Sequence, residues 1–379
     1  MAEKNGTGSA RHLTVRHRGR LAQIGIYFGK FIRMFVYQSD WKVLPMAALI
    51  AGLVGFALGS GFGKNMEGTL TGAFAIVCVC IWNGSFNSIQ VVCRERNVIK
   101  REHRSGMHIS SYILAHMMYQ LLLCVLQTIV TLIVLYLVGM RFSGKGMFTP
   151  WMIVDAGITM LLVTYASDML SLWISTLVHT TTTAMTIMPF VLIFQLIFSG
   201  GLFSLPKVVD PIIMLTISSP GLKAMASQTK INDLPYSAVN GMIKMVDSVE
   251  IGGRVTVGQI LDIMQDTENQ TVVELRAVPI GNKETLRQLG EHLLEKDHYQ
   301  DLRDEGLVVH MTVGDAIDMI GREETMARID EKASEAMYEP DYAYTSENII
   351  GNWLHILIFV IVFALASVIT LEFIDKDKR

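Results

Sequence analysis

The sequence predicts a mainly α-helical, polytopic membrane protein with an N-terminal interfacial helix, six transmembrane helices and a small α+β domain between the fifth and sixth. Hydrophobic residues make up 51% of the 379-residue chain. Apolar stretches recur along it, each about 20 residues long, which is the length a helix needs to cross a bilayer. Residues 204–346 hold 13 Lys or Arg and 24 Asp or Glu, whereas the rest of the chain holds 19 and 11. The acidic region therefore faces different surroundings from the rest.

Residues 1–18 are predicted to form a basic arm, and residues 19–40 an amphipathic helix. Ile24, Phe28 and Phe31 recur there at helical spacing, and the basic residues fall elsewhere on the helix. This pattern is typical of a helix that lies in the headgroup region. The predicted spans are Trp41–Ser60, Gly68–Val92, Ser111–Met140, Trp151–Leu177, Thr182–Phe203 and Ile349–Phe373.

The acidic region, residues 204–348, separates the fifth span from the sixth. Residues 204–245 keep apolar runs that prolines interrupt, and we expect short helices there. Residues 246–338 are charged and are predicted to form the small α+β domain.

That domain prediction depends on an internal near-repeat, VTVGQILDIM at 255–264 and MTVGDAIDMI at 311–320. Thr256 and Thr312 are each predicted to cap the start of a helix. Residues 271–280 alternate as a strand does.

The loop between the second and third spans, residues 94–112, fixes the orientation. Its sequence, RERNVIKREHRSGMHISSY, is too charged for hydrocarbon, where one charge at mid-depth costs at least ~2.5 kcal/mol. Its acidic and basic residues are spaced for helical i,i+3 and i,i+4 pairs, which indicates a helix along the membrane surface. Short basic loops stay in the cytoplasm. We therefore expect both termini to be cytoplasmic and residues 204–348 to be extracytoplasmic in a multi-pass protein of the cell membrane.

The same loop resembles the first cytoplasmic loop of ABC exporters of the G subfamily, the white or drug-resistance type, in a bacterial form without the ATPase domain. The resemblance implies that residues 19–40 are an elbow helix. It also implies that residues 97–110 are a coupling helix that presses on an ATPase subunit. The residues that match the family pattern, and so form the implied coupling site, are Glu95, Arg96, Arg101, Glu102, Gly106 and Tyr112.

The resemblance further implies a permease that pairs with a second copy or a homologue and with ABC ATPase subunits. No nucleotide-binding motif supports an enzyme on this chain: GSGFGKN at 59–65 departs from the phosphate-loop pattern at Leu58 and Asn65. We therefore expect ATP and Mg²⁺ on the partner, and on this chain no catalytic residue, cofactor or metal site. We expect the chain to lie in the lipid bilayer and to bind no nucleic acid.

Polar residues inside the spans are the candidates for a substrate pathway. In the second span Asn83, Asn87 and Gln90 share one helical face, which must meet protein or water because unsatisfied amides are costly in lipid. A translocation pathway and hydrogen bonding between helices both explain this face. In the fourth span, Asp168 is either a functional carboxylate or a structural one that is protonated or paired.

By the same resemblance, the fifth span lines the central cavity. Its candidate residues follow Pro189 and are Phe190, Phe194, Gln195 and Phe198. Aromatic residues at helical spacing also occur as ordinary packing.

Two other functions remain open at this stage. An ABC-type complex could use ATP to act mechanically on a partner at the outer surface without moving a solute. Alternatively, the chain could be a receptor or scaffold whose function lies in the acidic outer domain, and then no ATPase would associate with it.

Overall fold

The computed structural model describes residues 19–37, 40–142, 144–201, 207–236 and 321–373. It also describes short stretches at 241, 245, 247, 255–256, 308–309 and 312–314. The predicted basic arm, the predicted strand at 271–280 and most of the near-repeat lie outside these residues.

Eleven helices have described bounds. The first nine are α1 (Arg20–Tyr37), α2 (Val43–Leu58), α3 (Met66–Ser88), α4 (Val91–Arg104), α5 (Ile109–Val138), α6 (Met152–Leu177), α7 (Thr181–Ile197), α8 (Asp210–Ile213) and α9 (Ser218–Gln228). The last two are α10 (Arg322–Ala336) and α11 (Ser346–Glu372). Helices α8, α9 and α10 lie within the acidic region, and α11 begins at its end.

Four helical segments are long and apolar enough to cross a membrane: α3 with α4, α5, α6 and α11. The other two predicted spans correspond to α2 and α7, which are apolar but only 16 and 17 residues long. At 1.5 Å per residue they extend about 24–26 Å, slightly less than a hydrocarbon core of about 30 Å. The chain is thus a multi-pass membrane protein, and the count of six spans stays a prediction.

The chain divides into two compact units. The first, the membrane unit, comprises residues 1–63, 68–229 and 341–379 and contains the helices with the apolar core. Within it α3 and α6 are the most enclosed, because 61% of the apolar window of each segment is buried, against 33% for α5 and for α11.

Close contact between α3 and α6 depends on Gly84. A Cβ atom at this position would lie 2.0 Å from the Thr164 carbonyl oxygen, which is far inside van der Waals contact. The Ser85 and Ser167 hydroxyls are 2.7 Å apart, and Ser167 Oγ donates to the Ile81 carbonyl oxygen at 2.8 Å. Small residues let the two backbones approach, as is common between transmembrane helices.

The second unit comprises residues 64–67 and 230–340. Val255–Thr256 (β1) pairs antiparallel with Val308–Val309 (β2). Thr256 therefore has extended backbone, which an N-cap residue also has, and the residues that follow it lie outside the described part, so its role as a helix cap stays a prediction. Thr312 does precede helical residues, at 313 and 314.

Candidate functional site: the α4 helix and its supports

Helix α4 continues α3 after a break at Ile89–Gln90. The segment Met66–Arg104 has 39 residues, about twice the number that crosses a hydrocarbon core, so its charged end lies outside the hydrocarbon. Val92, Cys93 and Ile99 are buried on one side of α4. The helix therefore packs against the membrane unit along this apolar side. It ends at Arg104, so the predicted coupling segment 97–110 consists of the second half of α4, the turn that follows and the first two residues of α5.

The start of α4 is fixed by α6. The Ser175 hydroxyl oxygen accepts hydrogen bonds from the backbone N–H groups of Val92 at 3.1 Å and Cys93 at 3.2 Å. These are N–H groups that the first turn of a helix leaves without a partner. Ser175 thus performs the role of an N-cap from another helix.

Arg96 makes the reciprocal contact to the end of α6. Its Nη1 donates to the carbonyl oxygens of Thr176 at 2.9 Å and Val178 at 3.2 Å. Carbonyl groups at a helix C-terminus lack partners within the helix and carry partial negative charge, so a guanidinium there is favourable. Helices α4 and α6 therefore satisfy each other's terminal backbone groups.

On another side of α4, Lys30 of α1 lies between two carboxylates. Its Nζ is 3.5 Å from Glu95 Oε2 and 3.8 Å from Glu102 Oε1. Glu95 and Glu102 are seven residues apart, two turns along one face. Burial, together with the neighbouring Glu102 carboxylate, raises the pKa of Tyr27 to about 12. Tyr27 is therefore neutral beside this ion pair at physiological pH.

The turn after α4 is also bound to α1. Gln23 Nε2 donates to the Gly106 carbonyl oxygen at 3.1 Å, and Gln23 Oε1 accepts from the His108 backbone N–H at 2.9 Å. Gly106 has φ of 99°, in the left-handed region that side chains disfavour, which explains a glycine here. The turn and α1 consequently form one hydrogen-bonded surface.

Tyr112, at the start of α5, is fully buried against α1. Its ring lies edge-on to Tyr27 at 5.7 Å and to Phe31 at 5.6 Å between centroids, which is favourable aromatic geometry. The residue thus joins α5 to α1.

One stripe of α4 stays exposed: Arg94, Asn97, Arg101 and Arg104. Their spacing of three, four and three residues places them on one helical face. We call them the exposed stripe. Of the six residues predicted for coupling, only Arg101 is exposed, and the other five contact or pack against the membrane unit. The sequence did not identify Lys30, Gln23 or Ser175, because each contacts α4 or its turn from another helix.

The predicted pathway residues of α3 have different surroundings. Asn83 is buried, and Asn87 exchanges two hydrogen bonds with Gln127 of α5, at 2.8 and 3.0 Å between nitrogen and oxygen. Gln90 lies at the break before α4 and lines a cavity together with Asn87. Hydrogen bonding between helices therefore accounts for Asn87, while Gln90 borders open space.

On α7, too, some predicted pathway residues are exposed and another is buried and hydrogen-bonded. Phe190 and Phe194 are exposed, and the Phe194 ring lies 4.8 Å from that of Phe198. Gln195 is buried, and its Oε1 accepts from the backbone N–H groups of Ile217 at 2.9 Å and Ser218 at 3.2 Å. Gln195 therefore supports the start of α9, whereas the phenylalanines form an outer apolar face.

Asp168 of α6 is completely buried. Neither carboxyl oxygen has a hydrogen bond within the described residues. Nearby, Ser88 Oγ accepts from Gln120 Nε2 at 2.8 Å and lies 3.3 Å from His116 Nε2. No group of His, Cys, Asp and Glu in the described part could hold a metal ion.

Residues 31–219 match a protein family described as ABC-2 type transporter. The matched range contains α2 to α7 and Ser175, the support of α4 on α6, whereas Gln23 and Lys30 of α1 precede it. Comparison with individual curated proteins found no match.

Proposed function

We propose that the chain is the permease of an ABC-2 type exporter driven by a separate ATPase subunit, because residues 31–219 match that family. ATP and Mg²⁺ bind to that partner. The permease works as a dimer with a second copy or a homologue, and both termini are cytoplasmic.

The observation that carries this proposal is the two-sided attachment of α4. Lys30 and Gln23 join α4 and its turn to α1, and Ser175 and Arg96 join it to α6. A charged helix that lies outside the hydrocarbon and is bound to two others moves them when it is moved. The exposed stripe is the surface that a partner can contact.

The mechanism follows from these contacts. Closure of the ATPase pair displaces the exposed stripe, and α1 and α6 move with α4. The transmembrane helices then change between inward and outward access. Substrate passes between the two permease copies, along α3 and the exposed phenylalanines of α7.

The stripe also indicates the chemistry of the partner surface. Arg101 and Arg104 give it positive charge, so an ATPase groove that carries carboxylates complements it. Charge complementarity at such a rim affects association and specificity more than the stability of either chain.

The test is purification of the chain from its native membrane in mild detergent, with identification of what accompanies it by mass and stoichiometry. We expect an ABC ATPase at close to one copy per permease. The double substitution Arg101→Glu and Arg104→Glu should lower the recovered ATPase by at least about fivefold, because it reverses the charge of the stripe.

Arg141→Glu is the matched control. Arg141 is exposed and follows the C-terminal end of α5, whereas α4 precedes the N-terminal end of that helix. The substitution should leave ATPase recovery unchanged. Recovery of the chain alone, or with an outer-surface protein only, would refute the transporter proposal. A stable ATPase complex without any transported solute would instead identify a mechanical complex.

A further inference from the structure

Four polar side chains are buried together where α3, α5 and α6 pack in the membrane unit. Asp168 of α6 and Ser88 of α3 are 0% exposed, and His116 and Gln120 of α5 are 1% exposed. His116 and Gln120 are four residues apart and therefore lie on one face of α5. We call these four residues the Asp168 cluster. Three helices thus contribute to one polar group inside an apolar core.

Ser88 lies at the centre of the Asp168 cluster. Its Oγ accepts a hydrogen bond from Gln120 Nε2 at 2.8 Å and lies 3.3 Å from His116 Nε2. Ser88 is also the polar neighbour of the Asp168 side chain across the contact between α3 and α6. Gly84 allows that contact, because a Cβ atom there would lie 2.9 Å from the Asp168 backbone nitrogen. The packing of α3 on α6 therefore holds the cluster together.

Three oxygen atoms of the cluster have unused capacity to accept. Neither carboxyl oxygen of Asp168 nor Gln120 Oε1 has a hydrogen-bond partner among the described residues. No lysine or arginine of that part forms an ion pair with Asp168. The other titratable groups that face it, Cys124 and Tyr165, carry no positive charge. Because a buried carboxylate without a cation is costly, the cluster lacks one positive charge.

We propose that the Asp168 cluster binds one monovalent metal cation, Na⁺, within the membrane unit. The ligands are the Asp168 carboxylate, Ser88 Oγ and Gln120 Oε1, and oxygen ligands of this kind suit hard cations. One carboxylate balances one positive charge, which favours a monovalent ion over a divalent one. The close approach of α3 and α6 favours Na⁺ over the larger K⁺. Such a site departs from the expectation that this chain holds no metal.

Gln120 also provides a route for the ion. It lines a cavity of about 210 Å³ beside the break between α3 and α4. At about 30 Å³ per water molecule, this cavity holds roughly seven waters, so a hydrated ion can reach the Gln120 amide. Asp168 does not line the cavity. The ion site is therefore separate from the surfaces of α3 and α7 along which the substrate passes.

This inference goes beyond the proposed function, because it requires neither an ATPase nor a transported solute. The test is thermal unfolding of the purified full-length permease in detergent, without ATPase or nucleotide. NaCl replaces choline chloride at constant ionic strength, so the screening of surface charges stays the same. A ligand that binds only the folded state stabilises that state. We expect Tm to rise by at least about 3 °C in saturating NaCl, and by less in KCl.

Substitutions locate the ion. Asp168→Asn should abolish the Na⁺-dependent rise in Tm, because the amide keeps the shape of the side chain but not its charge. Gln120→Met removes Oε1 and should raise the Na⁺ concentration that gives half of the rise by at least about fivefold. Asp155→Asn is the matched control, because it makes the same change in the same helix, at a carboxylate that accepts from the Phe148 backbone N–H. It should keep the full rise.

Three results would overturn the proposal. Equal Tm values in NaCl, KCl and choline chloride would show that Asp168 carries a proton and holds no cation. A Na⁺-dependent rise that persists in Asp168→Asn would show that the ion binds elsewhere. If Asp168→Asn does not fold, Gln120→Met decides the question, and an unchanged Na⁺ concentration at half of the rise would reject the site.

Discussion

At the scale of single residues, Lys30 shows what a pattern within one helix cannot reveal. The alternating charges of residues 94–104 predicted a helix, and α4 is that helix. They also suggested pairs within it, but Glu95 and Glu102 meet a lysine that is more than sixty positions earlier in the sequence. Such a partner depends on how α1 packs against α4, which no local spacing encodes.

Reversal of charge at this site tests its role in coupling. Lys30→Glu should lower permease-stimulated ATP hydrolysis and also lower stability by more than about 1 kcal/mol, because it brings a third carboxylate against Glu95 and Glu102. Adding Glu102→Lys should restore part of the activity. Activity is measured with the purified ATPase, and stability by thermal unfolding of the permease. If Lys30→Glu leaves stimulation intact, α1 takes no part in coupling.

Arg96 should matter for stability as well as for coupling. Arg96→Met keeps a long apolar stem but removes the donors to Thr176 and Val178, which should cost about 1–3 kcal/mol. Unfolding in detergent measures the loss. Arg33→Met, at an exposed position of α1, serves as the comparison and should change stability by less than about 0.5 kcal/mol. Equal stability of the two variants would contradict the role of Arg96 in joining α4 to α6.

At the scale of helices, the apolar runs predicted where each element lies, and side-chain contacts determined its ends. The run from Gly68 to Val92 suggested one span, yet a break at Ile89–Gln90 separates α3 from α4. The polar face of α3 was predicted correctly as a face that needs partners. Only tertiary packing shows that Asn87 pairs with α5 and that Gln90 borders a cavity.

The contact between α3 and α6 gives the sharpest expectation at this scale. Gly84→Ala places a methyl group 2.0 Å from the Thr164 carbonyl oxygen, so the helices must separate. We expect a loss of at least about 2–3 kcal/mol, as overpacking of a well-packed core commonly causes. Thermal unfolding in detergent or the yield of folded protein measures it.

Gly351→Ala is the matched control within α11, because nothing lies within 4 Å of a Cβ atom there. Alanine should keep stability or raise it by up to about 1 kcal/mol through helix propensity. If both variants behave alike, the close approach of α3 and α6 has no energetic significance.

At the scale of the whole molecule, the membrane unit is interrupted by residues 230–340. The composition of the acidic region predicted a separate domain between the fifth and sixth spans. The sequence could not show that residues on either side of it remain in contact. Lys223 Nζ lies 2.7 Å from Asp341 Oδ2, and Asn348 Nδ2 donates to Ser227 Oγ at 2.9 Å.

These contacts predict that residues 230–340 of the second unit can be removed. Replacing residues 230–340 with a Gly/Ser linker of about eight residues should leave the membrane unit folded, because a flexible linker of that length spans neighbouring ends. Size-exclusion profile and thermal unfolding of the shortened permease measure this. A shortened chain that also carries Lys223→Glu should be less stable. Aggregation of the shortened chain itself would show that the membrane unit depends on the second unit.

The interruption also has a consequence for how the protein is made. Trp353 Nε1 of α11 donates to Thr159 Oγ1 of α6 at 2.8 Å, and Thr176 and Thr370 join the same two helices through their hydroxyls. A ribosome synthesises α6 long before α11, with the whole acidic region in between. During that interval the polar groups of α6 must meet lipid, water or the insertion machinery. Biogenesis of the membrane unit is therefore completed only when α11 enters the bilayer.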